Sequence, residues 1–229
     1  MKVMILAAGR GERLRPLTDN IPKPLVEVAG KPVIVRLIES LASEGFRELV
    51  INLGYLGDKV RTALGDGSQY GISITYSREP GHALETGGGI FQALPLLSDP
   101  FLVVNGDIAT DFPFLRVPTE FNSVAHLVLV PNPPHHPHGD FSLQGDRVGL
   151  KEQPRFTFSG IGIYRKSFFC QCKPGRFSIA PLLRAAAANG QVSGQLYRGF
   201  WSDIGTPERL QRWCELLRSQ QENDNEPNQ

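Results

Sequence analysis

The sequence predicts an α/β fold with a mostly parallel sheet and helices on both faces. Three observations predict it. Short apolar runs bounded by glycine recur through the first half of the chain. Segments with apolar residues at helical spacing stand between them. The two kinds alternate, as strand–helix–strand crossovers require.

Each element has its own signal. "KVMILAA" opens the chain as a strand buried on both faces. "KPVIVRLIESLASEGF" is a helix, with Val33, Leu37, Ile38 and Leu41 on one face and Gly45 after its end. "ELVINL" is a second buried strand, "LGDKVRTALGDG" a short helix stopped by glycine, and "ISITYS" an alternating third strand. "TGGGIFQALPLL" leaves a glycine-rich turn as a helix, and "PFLVVNGD" is a fourth buried strand with a polar end. The second half changes character. "SVAHLVLVPNP", "GDFSLQGDRVGL" and "RFTFSGIGIY" are strand-like and separated by Gly, Pro and Asp turns. "SIAPLLRAAAANG" and "TPERLQRWCELLRSQ" follow as helices. No repeat or linker divides the chain, so residues 1–219 form one domain and residues 220–229 a tail with a disordered composition.

Composition narrows the function. With 229 residues, 41% of them hydrophobic, the chain can bury a sizeable core. A formal net charge of +1 argues against a nucleic-acid partner. No apolar run reaches the roughly 18 residues that span a bilayer, and the charged start is unlike a secretion leader. The three cysteines are scattered, which fits a reducing cytoplasm better than a disulfide framework.

Open parallel sheets bind ligands beyond the carboxyl ends of their strands. Three polar clusters fall at such ends: residues 9–23, 84–89 and 105–107. The first, within "LAAGRGERLRPLTDNIPKPL", is neither of two familiar phosphate loops. Leu14 occupies the third glycine of a dinucleotide loop, and Gly30-Lys31 is followed by Pro32 where a P-loop needs Ser or Thr. Its chemistry still suits phosphate. Gly9 and Gly11 let backbone N–H groups approach an anion. Arg13 and Arg15 carry planar donor forks, and Lys23 sits on a segment stiffened by Pro22 and Pro24. Taken alone, the loop could also be a solvated basic surface, with Glu12 and Asp19 partly neutralising it.

The pattern Gly9-x-Gly11-x-Arg13…Pro22-Lys23-Pro24 resembles the signature of the sugar-1-phosphate nucleotidylyltransferases, with an added arginine in Arg13-Leu14-Arg15-Pro16. The resemblance continues through "LETGGGI", "VNGD", "FSGIGIY" and "WSDIGTPERL" to about residue 217. It implies a Rossmann-like nucleotidyltransferase fold with a small β-rich sugar-binding lobe. Within the family, Glu85-Thr86-Gly87-Gly88-Gly89-Ile90 and "NPPHHPHGDFSL" are most similar to bacterial uridylyltransferases that use N-acetylmuramate 1-phosphate in cell-wall recycling. Mannose- and glucose-1-phosphate enzymes, which usually carry glycine where Glu85 stands, and a non-catalytic nucleotide-sugar sensor are the alternatives.

The resemblance also implies roles. Ala8, Gly9, Gly11, Arg13 and Lys23 would hold the nucleotide phosphates, with Arg13, Lys23 and Asp107 catalytic and Arg15 a weaker candidate. Leu84, Glu85, Thr86 and Gly87 would edge the base. Asn105 would touch both nucleotide and sugar, and Asp107 and Asp203 would bind Mg²⁺. Alone, Asp107 could be a turn residue and Asp203 a cap. Gly139, Asp140, Glu152, Ser159 and Gly160 would line the sugar pocket, Lys151 would meet the sugar phosphate, and Arg155 or Arg198 the lactyl carboxylate. Asp140 could instead cap the turn at Gly139. His135, His136 and His138 match no strong zinc pattern and read as a surface loop. Trp201 and Trp213 read as core or pocket wall. The expected partners are therefore UTP and a sugar 1-phosphate, in a monomer or homodimer.

Overall fold

A computed structural model describes residues 1–81, 83–151 and 153–224, with side chains up to residue 219. The strands are β1 (Val3–Leu6), β2 (Glu27–Val28), β3 (Lys31–Pro32), β4 (Glu48–Leu53), β5 (Ser73–Arg78), β6 (Phe101–Asn105), β7 (Ile108–Thr110), β8 (Ala125–Val130), β9 (Phe141–Gln144), β10 (Arg147–Gly149), β11 (Arg155–Tyr164), β12 (Val192–Leu196) and β13 (Trp201–Asp203). The helices are α1 (Val33–Ser43), α2 (Gly57–Leu64), α3 (Glu85–Ala93), α4 (Ala180–Ala188) and α5 (Pro207–Asp224). The last helix continues five residues past 219, and 225–229 lie outside the described residues.

One sheet carries the fold, in the order β5-β4-β1-β6-β11-β8-β12-β10-β9. Strands β5, β4, β1 and β6 are parallel, because their connections cross over through α1, α2 and α3. Strand β11 enters antiparallel between β6 and β8, and β12 pairs parallel with β8. The β-rich second half therefore extends the same sheet. Strand β1 explains why its sequence is uniformly apolar. Val3 and Ile5 pack with Ile34, Ile38 and Leu41 of α1 on one face. Met4 packs with Ile90 of α3 and Leu183 of α4 on the other.

The chain turns one way from β1 to β4 and β5, then returns to β6 on the other side. The carboxyl ends of β1 and β6 thus flank the crevice where strand order reverses. Two short strands that the sequence did not predict matter here. Strands β7 and β13 form an antiparallel ribbon beyond β6, with Asp203 opposite Ile108. Ile204 N–H donates to the Asp107 carbonyl at 2.8 Å, so two loops distant in sequence close on one another. Tyr197 braces the ribbon from just past β12. Its ring meets Phe112 edge-on at 5.0 Å and its hydroxyl donates to Asp111. Burial, and then that carboxylate, push its pKa up.

Strand β11 slips register between Phe158 and Ile161. Ser159 fills the bulge, donating to the Val128 carbonyl at 2.7 Å and accepting from Ile161 N–H at 3.1 Å. Gly160 follows with φ +81°, and the Asn105 side chain lies where its Cβ would be. Glycine is needed twice over, for conformation and for space. Gly160→Ala is expected to destabilise the fold by about 1–2 kcal/mol and to displace Asn105. Urea denaturation checks it: an unchanged midpoint would mean that the bulge tolerates a side chain.

Candidate active site

A cavity of about 480 Å³ opens at the carboxyl ends of β1 and β6. Its floor is residues 6–13, followed by Lys23 and Pro24, and its far wall is Asn105, Gly106 and Asp107. The opening loop reaches this position through three short 3-10 turns rather than one helix. Gly11, at φ +69°, turns the chain, and a Cβ there would come 2.9 Å from Lys23 Cβ. Thr18, fully buried, donates to the Gly11 carbonyl at 2.8 Å. From outside, Tyr55 donates to the Asp19 carbonyl at 2.8 Å and Lys59 to that of Asn20 at 2.7 Å. Arg10 lies over the Tyr55 ring, 5.2 Å from its centroid. Arg15 instead pairs with Asp19 at 2.6 Å on the surface and does not line the cavity.

The acidic ends are held in pairs. Lys23 Nζ donates to Asp107 Oδ2, bringing the loop's cation onto the end of β6. Arg209 Nη1 donates to Asp203 Oδ1 at 2.5 Å, and His135 Nε2 stands 3.2 Å from the same oxygen. A Cβ on Gly205, which lines the cavity, would meet Asp203 Oδ2 at 2.8 Å and Arg13 Nη2 at 3.0 Å. Thus Arg13, Lys23, Asp107 and Asp203 converge on one rim.

The base loop is fixed by a buried bridge that no motif announced. Asn52 Oδ1 accepts from Ala7 N–H at 2.7 Å, and Asn52 Nδ2 donates to Glu79 Oε1 at 2.7 Å. Glu79 Oε2 accepts from Leu84 N–H at 2.7 Å. Both side chains are buried and border the cavity. A polar Asn inside "ELVINL", and a Glu just past the third strand, were the available signals. Glu85 and Thr86 line the cavity, whereas Leu84 and Gly87 do not. Gly87 is a packing position: a Cβ there would meet the Phe177 ring at 2.5 Å.

The expected sugar residues part company. Gly160 lies against Asn105, but Ser159 is 1% exposed with its hydroxyl committed inside the sheet. Asp140 holds a turn: it accepts from Phe158 N–H at 2.9 Å and meets His136 Nε2 at 3.1 Å. Gly139, at φ +61°, belongs to that turn, and a Cβ there would meet Asn132 Oδ1 at 2.6 Å. Arg155 donates to the Asp140 carbonyl at 2.5 Å beneath the loop. Lys151 lines a separate cavity with Arg147 and Ala187, and Glu152 lies outside the described residues. Arg198 is exposed and lines neither that cavity nor the one above residues 6–13. Trp201 donates to the Ser159 carbonyl at 2.9 Å, and Trp213 is buried with Val28, Val33 and Ile204.

A second, more apolar cavity of about 880 Å³ adjoins the rim through His135 and Arg209. Phe200, Trp201 and Pro133 wall it, and α5 contributes Arg209, Arg212 and Trp213. Arg209 is engaged by Asp203, whereas Arg212 has no carboxylate partner among the described residues.

A glycine loop, a cation pair and two aspartates at one switch point describe a site for phosphates. Comparison decides its kinship: residues 2–220 match the profile of the nucleotidyl transferase family. The chain belongs to that family. It is 52% identical over 220 residues to "N-acetylmuramate alpha-1-phosphate uridylyltransferase" of Neisseria meningitidis serogroup B, covering 92% of this chain and 95% of that one. It is 31% identical to "Mannose-1-phosphate guanylyltransferase catalytic subunit beta" of Danio rerio, covering 96% of this chain and 65% of that one. Among solved structures, HddC from Yersinia pseudotuberculosis superposes with a TM-score of 0.79 at 25% identity, over 94% of this chain and 99% of that one.

Cutting the Asn52 bridge tests how this nucleotidyl transferase holds its site. Asn52→Ala leaves Ala7 N–H and a buried carboxylate short of a partner. A loss of about 2–4 kcal/mol in urea denaturation is expected, with weaker nucleotide binding by titration. Wild-type stability and affinity would show that water replaces the amide without cost.

Proposed function

We propose that this protein joins UTP and N-acetylmuramate 1-phosphate, giving UDP-N-acetylmuramate and pyrophosphate in cell-wall recycling in the cytoplasm. The observation that carries nucleotidyl transfer is the convergence of Arg13, Lys23, Asp107 and Asp203 on one rim of the phosphate loop. The choice of substrates is supported by the Neisseria relative's named activity at 52% identity.

The chemistry asks little of the side chains beyond position and charge. A sugar phosphate is largely dianionic at neutral pH, because its second pKa lies near 6. Its oxygen forms a bond to the α-phosphorus as the bond to the β-phosphate oxygen breaks, and pyrophosphate leaves in line. No general base is required. Backbone N–H groups of residues 8–11 cradle the phosphates, and Arg13 and Lys23 stabilise the charge that builds on them. Asp107, in the turn just before β7, and Asp203, on its partner strand β13, are drawn together by the ribbon and would hold Mg²⁺ together with substrate phosphates. When bound there, Mg²⁺ supplies charge neutralisation at the phosphoryl oxygens. The acceptor sugar enters from the second cavity, with aromatic walls against its ring and Arg212 facing its lactyl carboxylate.

Pyrophosphate release tests the reading, with UTP, GTP, CTP, ATP and dTTP each set against the 1-phosphates of N-acetylmuramate, N-acetylglucosamine, mannose and glucose. Release confined to UTP with N-acetylmuramate 1-phosphate is expected. Release with GTP and mannose 1-phosphate would move the assignment to the guanylyltransferases, and release with no pair would favour a nucleotide-sugar sensor. Asp107→Ala is expected to lower kcat roughly a thousandfold with an unchanged circular dichroism spectrum; near-normal turnover at saturating Mg²⁺ would remove its metal role. Arg212→Ala is expected to raise KM for N-acetylmuramate 1-phosphate about tenfold, since a charged pair is lost. An equal rise for N-acetylglucosamine 1-phosphate, which lacks the lactyl group, would refute that contact.

A further inference from the structure

The base loop contains an unusual residue for its conformation. Glu85 opens α3 with φ +60°, in the left-handed region that glycine enters freely and a glutamate enters at a cost. It also lines the nucleotide cavity. A nucleoside triphosphate carries about four negative charges, so a free carboxylate on this wall would repel the ligand.

The segment 175–177, outside every predicted element, answers this problem. Its backbone is locked onto α3 independently of any charge. Phe177 N–H donates to the Leu84 carbonyl at 3.1 Å, and Gly88 N–H donates to the Phe177 carbonyl at 3.0 Å. The Phe177 ring fills the space above Gly87, and the Gly175 carbonyl fills that above Gly88. This docking places Arg176 beside Glu85, with Nε 2.9 Å from Oε1.

We propose that Arg176 is a positioning residue for the base loop, holding the Glu85 carboxylate neutralised and turned away from the bound nucleotide. The inference rests on the reading that residues 85 and 86 edge the nucleotide. The Glu85 and Arg176 side chains are 41% and 68% exposed, so the pair adds little to stability. Its effect falls on the charge that the nucleotide meets.

A double-mutant cycle with Arg176→Ala and Glu85→Gly tests the proposal, using steady-state kinetics, calorimetric nucleotide binding and thermal unfolding. Arg176→Ala is expected to raise nucleotide KM and Kd roughly fivefold. Its kcat, acceptor KM and unfolding midpoint should stay near wild type, and 0.5 M salt should shrink the difference. Arg176→Lys should recover most of the loss. In the Glu85→Gly background, whatever its own activity, adding Arg176→Ala should shift nucleotide KM by less than about 1.5-fold, because the charge to be neutralised is gone. An unchanged KM in Arg176→Ala, or a fivefold loss that persists once the Glu85 carboxylate has been removed, would overturn the proposal. The series uses whichever nucleotide wild type prefers. A GTP preference would overturn the uridylyl reading and leave this comparison intact; binding of no nucleotide would overturn both.

Discussion

The cavity depends on one buried carboxylate at its wall, that of Glu79. Glu79 takes one hydrogen bond from Asn52 and one from the backbone of Leu84, while Asn52 takes another from Ala7. Through these three bonds the start of the phosphate loop and the start of the base loop share one anchor. A buried charge is costly unless its oxygens are satisfied, and costlier still if one partner is withdrawn. The bridge therefore resists deformation in a way that apolar packing would not. It fixes the spacing between the loop that follows β1 and the start of α3.

The charges around the cavity follow the same rule of pairing. Lys23 lies on Asp107 and Arg209 on Asp203, so each carboxylate already has a cation. The β7–β13 ribbon places the two carboxylates by backbone register, with Asp203 opposite Ile108 and the Ile204 N–H on the Asp107 carbonyl.

Much of this was legible in the sequence, for physical reasons that can be named. The runs of β1, β4 and β6 are apolar because both faces of each strand are covered, so they stand out without any partner being known. The loop after β1 drew notice by its glycine, arginine and proline chemistry at the end of the first run, and it lines the cavity. The ribbon was not legible, because three-residue strands have no period to detect, and neither was β12, whose Gly194 interrupts a short run. Asn52, Glu79, Arg176 and Arg209 escaped because each is one polar residue whose meaning lies in a partner 5 to 91 positions away. Ser159 sits in a motif-like string, but the fold commits its hydroxyl to a bulge. Asp140 takes the turn-holding alternative that its place after Gly139 offered.

The three glycines that follow Glu85 and Thr86 in α3 are each pressed by a different neighbour: Phe177 over Gly87, the Gly175 carbonyl over Gly88, and Glu79 with Asn52 over Gly89. No side chain can be added at any of them without moving a ring, a backbone segment or the buried bridge. Of the cavity-lining residues at this turn, Glu85 and Thr86 stand just ahead of the pressed glycines and have no such neighbour filling their place. Glu85 is in turn paired with Arg176, on a segment remote in sequence. The packing of this helical turn thus confines substitution at the cavity wall to the two residues that precede it.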